Sequence, residues 1–451
     1  MEGIIFMEKS EEIYNYLKKV ESNARSYAND FHFVIKSGLN AKVTDVNGKE
    51  YVDCLGGAGT LALGHNNPKI IKVMKDFLES GQILHGLDFS TPIKAEFVKT
   101  IFSTLPEGFA ENAKIQFCGP TGSDAVEAAI KLFKTYNGRS SVISFQGAYH
   151  GMAHGSLALT GELKAKNKLS ALMPEVHFMP YPYMYRSPFN LSGNDDCKLI
   201  LNYISNVLQD TNSGITKPAA VIIEAIQGEG GCIPAPDEFL VGLRKITKEL
   251  DIPLIIDEVQ TGLGRTGDMF AFEHSGIIPD AIVVSKAIGG GLPLSAVIYN
   301  SKYDKWEPGS HAGTFRGNQL AMVAGKTTLE YIKSENIISQ VREKGQMLIE
   351  SLNKMKDKYR IIGDVRGRGL MLGIEIVDPK KAVDQYGKYP NSKELTAKIK
   401  QLCFQKGVIL ESGGRHNSVL RLLPPLTIEL SDIQKVIEVI NSAIGEVDCN
   451  Y

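Results

Sequence analysis

The chain has 451 residues, 43% of them apolar and 22% charged, with a formal net charge of −1. That balance excludes a surface built for nucleic acid or an anionic membrane, no apolar run is long enough to span a bilayer, and the length calls for two subdomains or more. The N-terminal residues lack a secretory leader pattern, and six scattered cysteines (Cys54, Cys118, Cys197, Cys232, Cys403, Cys449) show no CxxC pair and no metal-like spacing, which reads as reduced thiols in a cytoplasmic protein.

Residues 9–30 are polar with a weak helical period (Ile13, Tyr16, Leu17, Val20), suited to covering a partner surface. Residues 41–53 alternate around Asn47-Gly48 and predict a hairpin. A small-residue loop, Leu55 to Thr60, follows, and Gly64-His65-Asn66-Asn67-Pro68 opens a helix running to about Leu78. From about residue 85, strand candidates at 114–118, 141–145, 220–226, 253–259, 281–285 and 295–299 alternate with amphipathic helices. This order predicts a mostly parallel sheet covered on both faces, with the site beyond the carboxyl ends of its strands. After about residue 330 the texture shifts to a long helix (about 319–358), the glycine-rich run Val365 to Glu375, a helix near 392–406 and a last strand at 418–423, read as a smaller α+β domain.

Four stretches carry chemistry. Ile282-Val283-Val284-Ser285-Lys286 is a buried strand ending in a lysine, followed by Gly289-Gly290-Gly291. A lysine placed so is desolvated, and desolvation lowers an amine's pKa toward the range of a Schiff-base nucleophile. A strand-end lysine that simply reaches water is the plainer alternative. Ile255-Ile256-Asp257-Glu258 ends a second buried strand in acids, which need a cationic or hydrogen-bonding partner. A pyridinium nitrogen is one such partner. Magnesium is another, but the phosphate loop that usually accompanies it, G-x-x-x-x-G-K-[ST], is absent.

Gly119-Pro120-Thr121-Gly122-Ser123 turns from strand into helix and makes an anion site at the helix N-terminus, with Asp124 and Glu127 fitting an N-cap pattern. An ordinary capped helix is the plainer reading. Tyr149-His150-Gly151, after the strand at 141–145, offers an aromatic that can stack on a flat ring or pack in the core.

Lys286, Asp257, Gly122-Ser123, Tyr149-His150-Gly151 and Gln227-Gly228-Glu229-Gly230-Gly231, taken together in this order, resemble the class III (ω-amino-acid) aminotransferases of fold type I, which use pyridoxal phosphate. The resemblance runs from the hairpin near residue 41 to Pro425. It implies a large domain (85–330) with a mostly parallel seven-stranded sheet and a smaller α+β domain (331–451), to which residues 1–84 contribute. It also implies a homodimer with a site shared across the interface.

By the same resemblance, Lys286 bonds the cofactor and moves the substrate proton, and Asp257 pairs with the ring nitrogen. Tyr149 and Val259 flank the ring, and Gln260 bonds its 3-oxygen. Gly122 and Ser123 hold the phosphate, Glu224 belongs to the cofactor site, and Thr314 reaches the neighbouring subunit's phosphate. Arg421 is implied to bind the α-carboxylate of 2-oxoglutarate or glutamate, with Glu229 covering it when an ω-amine enters.

Met152 stands where the 4-aminobutyrate branch of the family has an arginine, so 4-aminobutyrate is the less natural donor. The strings Ala148 to Gly161, Met179 to Tyr183 and Gly313 to Gln319 look like those of the branch moving the 4-amino group of L-2,4-diaminobutyrate to 2-oxoglutarate. Ornithine, lysine, a polyamine or a biosynthetic intermediate remain open as donors. A racemase or mutase on the same fold, or a cofactor-binding relic, remains open as a different class.

Overall fold

The computed structural model describes residues 2–191, 194–385 and 387–451. Its centre is a seven-stranded sheet. The strands run in the order Ala113–Phe117, Ala296–Asn300, Ala281–Val284, Leu254–Asp257, Ala220–Ile223, Val142–Phe145 and Val176–Met179. Ala296–Asn300 is antiparallel to both its neighbours, and the other pairs are parallel. The inner strands read as unbroken apolar runs because both faces are covered; Leu254, Ile255, Ile256, Ala281, Ile282, Val283 and Val284 are all fully buried. The edge strand Val176–Met179 is the one without a sequence counterpart, since Val-His-Phe-Met neither alternates nor forms a β-branched run.

The predicted strand 220–226 stops at Ile223, where Glu224 departs from the sheet. Ile226–Gln227 instead pairs with Ile233–Pro234, and this short ribbon carries the Gly228–Cys232 loop. The predicted helix 319–358 is two helices, Gln319–Ser334 and Ile337–Lys358. Asn336 sits between them at φ 51, a left-handed conformation that asparagine tolerates and that breaks the helix.

Two smaller sheets flank the large one. The hairpin Lys42–Asp45 and Glu50–Asp53 joins Ile35–Leu39 on one side and the distant Val408–Ile409 on the other, the last in parallel. An antiparallel sheet holds Ile362–Arg368, Met371–Ile376, Val419–Leu422 and Glu411–Gly413. Residues 408–413 therefore pass from one sheet into the other within one short run. Beneath this second sheet, Glu375 is fully buried and accepts from Arg186 Nε at 2.9 Å, Arg366 Nη1 at 2.8 Å, Asn391 Nδ2 at 2.7 Å and the Tyr183 hydroxyl. No helix among the described residues is long and apolar enough to cross a membrane.

Candidate active site

Five strands of the large sheet end at one cavity of about 160 Å³. It is lined by Gly122, Ser123, Tyr149, His150, Gly151, Glu224, Glu229, Asp257, Val259, Gln260 and Lys286. Nine of the eleven residues expected from the sequence reach this cavity. Arg421 stands just behind it, and Thr314 does not line it.

Lys286 follows the strand Ala281–Val284 and begins a single 3-10 turn, its backbone at φ 47. A non-glycine residue there is strained, and strain of this kind persists where the surroundings hold it. The amine makes no hydrogen bond or ion pair among the described residues, and burial lowers its pKa against the opposing pull of Glu229. An unpartnered amine with a lowered pKa is a nucleophile in waiting.

Asp257 closes the neighbouring strand and is 4% exposed. Its Oδ1 accepts from the Val259 amide at 3.0 Å, and its Oδ2 lies 2.7 Å from His150 Nδ1. This contact with the His150 ring holds Asp257 in place. His150 Nε2 is buried and has no partner. His150 was not singled out from the sequence, although it stands inside Tyr149-His150-Gly151; a buried histidine after a strand carries no mark of which carboxylate it meets.

The strand, turn and helix expected around Gly122 are present, but the helix is capped differently. Thr121 is the N-cap of Gly122–Asn137, and Asp124 at the third position closes the capping box. Glu127 is free of the cap and instead accepts from the Ser156 amide at 2.8 Å. Gly122 and Ser123 are thus left at the open, positive end of a helix whose buried stripe includes Val126, Ala129, Ile130 and Phe133. A Cβ on Gly122 would meet Val259 Cγ1 at 2.8 Å, so only glycine admits that wall.

Glu224 spans two loops, accepting from the Tyr149 amide at 2.9 Å and the Gly228 amide at 2.9 Å. Burial pushes its carboxyl pKa up to about 7. Glu229 hangs from the Gly228–Cys232 loop and meets Arg421, its Oε2 2.8 Å from Nη1. Gln260 Oε1 accepts from Arg421 Nη2 at 3.0 Å, and its Nε2 donates to Ala58 O at 3.3 Å. The Gln260 amide is therefore engaged with Arg421, beyond the ring contact expected of it. Burial alone would raise the Glu229 carboxyl, but Arg421 and Lys286 hold it below the usual range.

A second carboxylate, unmarked in the sequence reading, touches the same arginine. Glu411 Oε2 lies 3.0 Å from Arg421 Nη1, and the Tyr27 hydroxyl donates to Glu411 Oε1 at 2.9 Å. The signal was an acid closing the apolar run Val408-Ile409-Leu410, but its register against Arg421 is a tertiary fact.

The set fits pyridoxal phosphate. A free amine, a carboxyl group fixed by histidine and an open helix end with glycine walls surround one slot.

The class III aminotransferase family model matches residues 23–444. The chain belongs to the class III aminotransferases. It is 54% identical to the diaminobutyrate–2-oxoglutarate aminotransferase of Rhizobium meliloti (strain 1021), over 92% of this chain and 88% of that protein. It is 48% identical to the enzyme of that name from Haemophilus influenzae, over 93% and 92%. Among solved structures, an amine transaminase from an uncultivated Pseudomonas species in its PLP-bound form matches with a TM-score of 0.85 at 25% identity, covering 95% of this chain and 98% of that one. A Virgibacillus transaminase matches with a TM-score of 0.87 at 24% identity, covering 97% and 99%, a likeness of fold. Class III membership makes the chain an enzyme of the aminotransferase kind, on the fold type I architecture expected from its motifs.

Proposed function

We propose that this aminotransferase holds pyridoxal 5′-phosphate and moves the 4-amino group of L-2,4-diaminobutyrate to 2-oxoglutarate, giving L-aspartate 4-semialdehyde and L-glutamate in two half-reactions. The observation that carries the two-substrate reading is the fully buried Arg421 under Glu229, at the edge of the cavity that holds the free Lys286. The names of the relatives from Rhizobium meliloti and Haemophilus influenzae support the choice of donor.

The cofactor, when bound, supplies an electron sink for the carbon that bears the amine. Lys286 would hold the cofactor through its amine and would move the proton at the amine-bearing carbon. Asp257, oriented by His150, keeps the ring nitrogen protonated. Tyr149 and Val259 would flank the ring, Gly122 and Ser123 would hold the phosphate, and Gln260 would serve the ring oxygen, all from the lining of one cavity. Glu224 ties the loops of Tyr149 and Gly228 around the slot. Arg421, once Glu229 swings away, clamps the α-carboxylate of 2-oxoglutarate through its planar fork.

The site is a homodimer property in this reading. Thr314 is exposed, beside the exposed side chains of Ile83, Leu84, Leu87, Phe89 and Phe315. Arg316 pairs with Asp88 at 2.8 Å and joins these two loops into one apolar face that a second copy would cover, bringing Thr314 to the neighbour's phosphate. The parallel pairing of Val408–Ile409 with the N-terminal hairpin supports placing residues 1–84 with 331–451 in one smaller domain beside 85–330. Unpaired cysteines suit a cytoplasmic enzyme.

The test is the absorbance of the purified yellow protein mixed with L-2,4-diaminobutyrate and no keto acid, with ornithine in parallel. Conversion to the pyridoxamine spectrum, reversed by 2-oxoglutarate, is expected. Conversion by ornithine but not by diaminobutyrate would overturn the donor.

A further inference from the structure

Glu411 and Arg421 are register partners on adjacent antiparallel strands, so their side chains share one face. Arg421 Nη1 has Glu229 at 2.8 Å and Glu411 at 3.0 Å. One carboxylate suffices to cover the arginine when a donor is bound. The second is costly, since burial drives the Glu411 carboxyl above the usual range with the charge of Glu229 adding to the effect. It also stands permanently beside the group that must accept a keto acid's carboxylate. Glu411 Oε1 is taken by Tyr27, but Oε2 is buried and receives no hydrogen bond. Its cationic neighbour, Arg421 Nη1 at 3.0 Å, is shared with Glu229, and Lys286 feels the charge of Glu411.

We propose that Glu411 is a donor-specificity residue: its carboxylate receives the α-ammonium of a diamino acid whose other amine is at Lys286, and Tyr27 is the positioning residue that aims it. This rests on the diaminobutyrate reading and deepens it. 4-Aminobutyrate is the same carbon chain without the α-amino group, so it offers Glu411 nothing to bind. Glu411 thereby gives a positive reason for preferring the diamine, where Met152 gives only a negative one.

The test uses the holoenzyme and single half-reactions without keto acid, comparing diaminobutyrate with 4-aminobutyrate. Glu411→Gln keeps shape and loses charge. It is expected to lower the limiting rate over Kd for diaminobutyrate on the order of 10- to 100-fold, the worth of a charged hydrogen bond, while 4-aminobutyrate is slowed less than about threefold. Tyr27→Phe keeps every charge, so it stays informative if Glu411→Gln folds poorly; it is expected to shift the same ratio the same way, mainly through Kd. An unchanged diaminobutyrate to 4-aminobutyrate ratio in folded, yellow variants would overturn the proposal while leaving the donor intact. A wild-type protein that ignores diaminobutyrate would instead overturn the donor reading and this proposal with it.

Discussion

Glu229 Oε2 sits 2.8 Å from Nη1 of an arginine whose side chain is fully buried, and Gln260 holds the other terminal nitrogen of that guanidinium at 3.0 Å. The arginine is thus sheathed on both tips. Removing the sheath is part of the cost of binding a keto acid, and the consequence is measurable. Glu229→Gln is expected to tighten 2-oxoglutarate binding to the amine-loaded enzyme about tenfold, as a charged bond becomes a neutral one. It is expected to weaken the donor half-reaction. Stopped-flow titration of each half-reaction reads both, and a parallel change in the two would argue against a cover that alternates.

Arg421 is better tested with lysine than with alanine. Alanine would leave the buried Glu411 without a cation, a loss of about 3–5 kcal/mol that confuses folding with binding. Arg421→Lys keeps the charge and loses the planar fork. The 2-oxoglutarate half-reaction is expected to fall about 10- to 100-fold, with the donor half within about threefold.

Lys286→Ala is expected to lower turnover by at least about a thousandfold, because nucleophile and proton carrier go together. The cofactor should still bind, without the absorbance of the lysine-bonded form. Substantial transamination by a cleanly purified variant would refute the assigned role.

His150 offers a test of the support beneath Asp257. His150→Phe removes the 2.7 Å bond and leaves the carboxylate to the Val259 amide alone. Cofactor retention on dialysis is expected to weaken by about 10-fold or more, the worth of one hydrogen bond to a charged group. His150→Asn should recover part of it if its amide reaches the same oxygen. Retention equal to wild type in His150→Phe would mean that Asp257 needs no such prop.

Glu375 governs a pH effect on stability. Burial opposes its charge, but Arg366, the Tyr183 hydroxyl and Arg186 outweigh burial and hold the carboxyl below its ordinary 4.5. A depressed acid stabilises the fold above its unfolded pKa, and that contribution drains away as pH falls through the folded value. Glu375→Gln is expected to cost about 3–5 kcal/mol at pH 7. Its deficit against wild type should shrink as pH drops below 4.5. A deficit constant from pH 7 to pH 3 in chemical denaturation would assign it to packing and not to charge.

Much of the site was legible because its residues follow strand ends, and strand ends are where period and composition change together. Lys286 and Asp257 each close or follow a run of buried apolar residues, and Gly122 follows the turn after Ala113–Phe117, so the sequence exposes them. Glu411 and Tyr27 were hidden for a different reason. They are 384 residues apart, and nothing local in either stretch reveals that the Tyr27 hydroxyl lies 2.9 Å from the Glu411 carboxylate. Asn336 was hidden by periodicity itself, because the apolar stripe continues on both sides of it. Glu224 shows the reverse error: the apolar run continues through Ala225 and Ile226, so a strand was extended across a residue that leaves the sheet to bind two amides.

The passage from Ile409 to Glu411 has a mechanical meaning. Ile409 is stitched to Asp53 in one sheet and Glu411 to Arg421 in the other, with only Leu410 between them. A joint this short has no slack. A rotation of the N-terminal sheet by a few degrees is expected to turn the carboxylate of Glu411, which the Tyr27 hydroxyl, in the helix before that sheet's first strand, also holds. On the role proposed for Glu411, the amino-terminal segment acts as a lever arm on substrate choice: fusions, tags or truncations before residue 35 are expected to change the ratio of diaminobutyrate to 4-aminobutyrate rates more than the chemistry at Lys286.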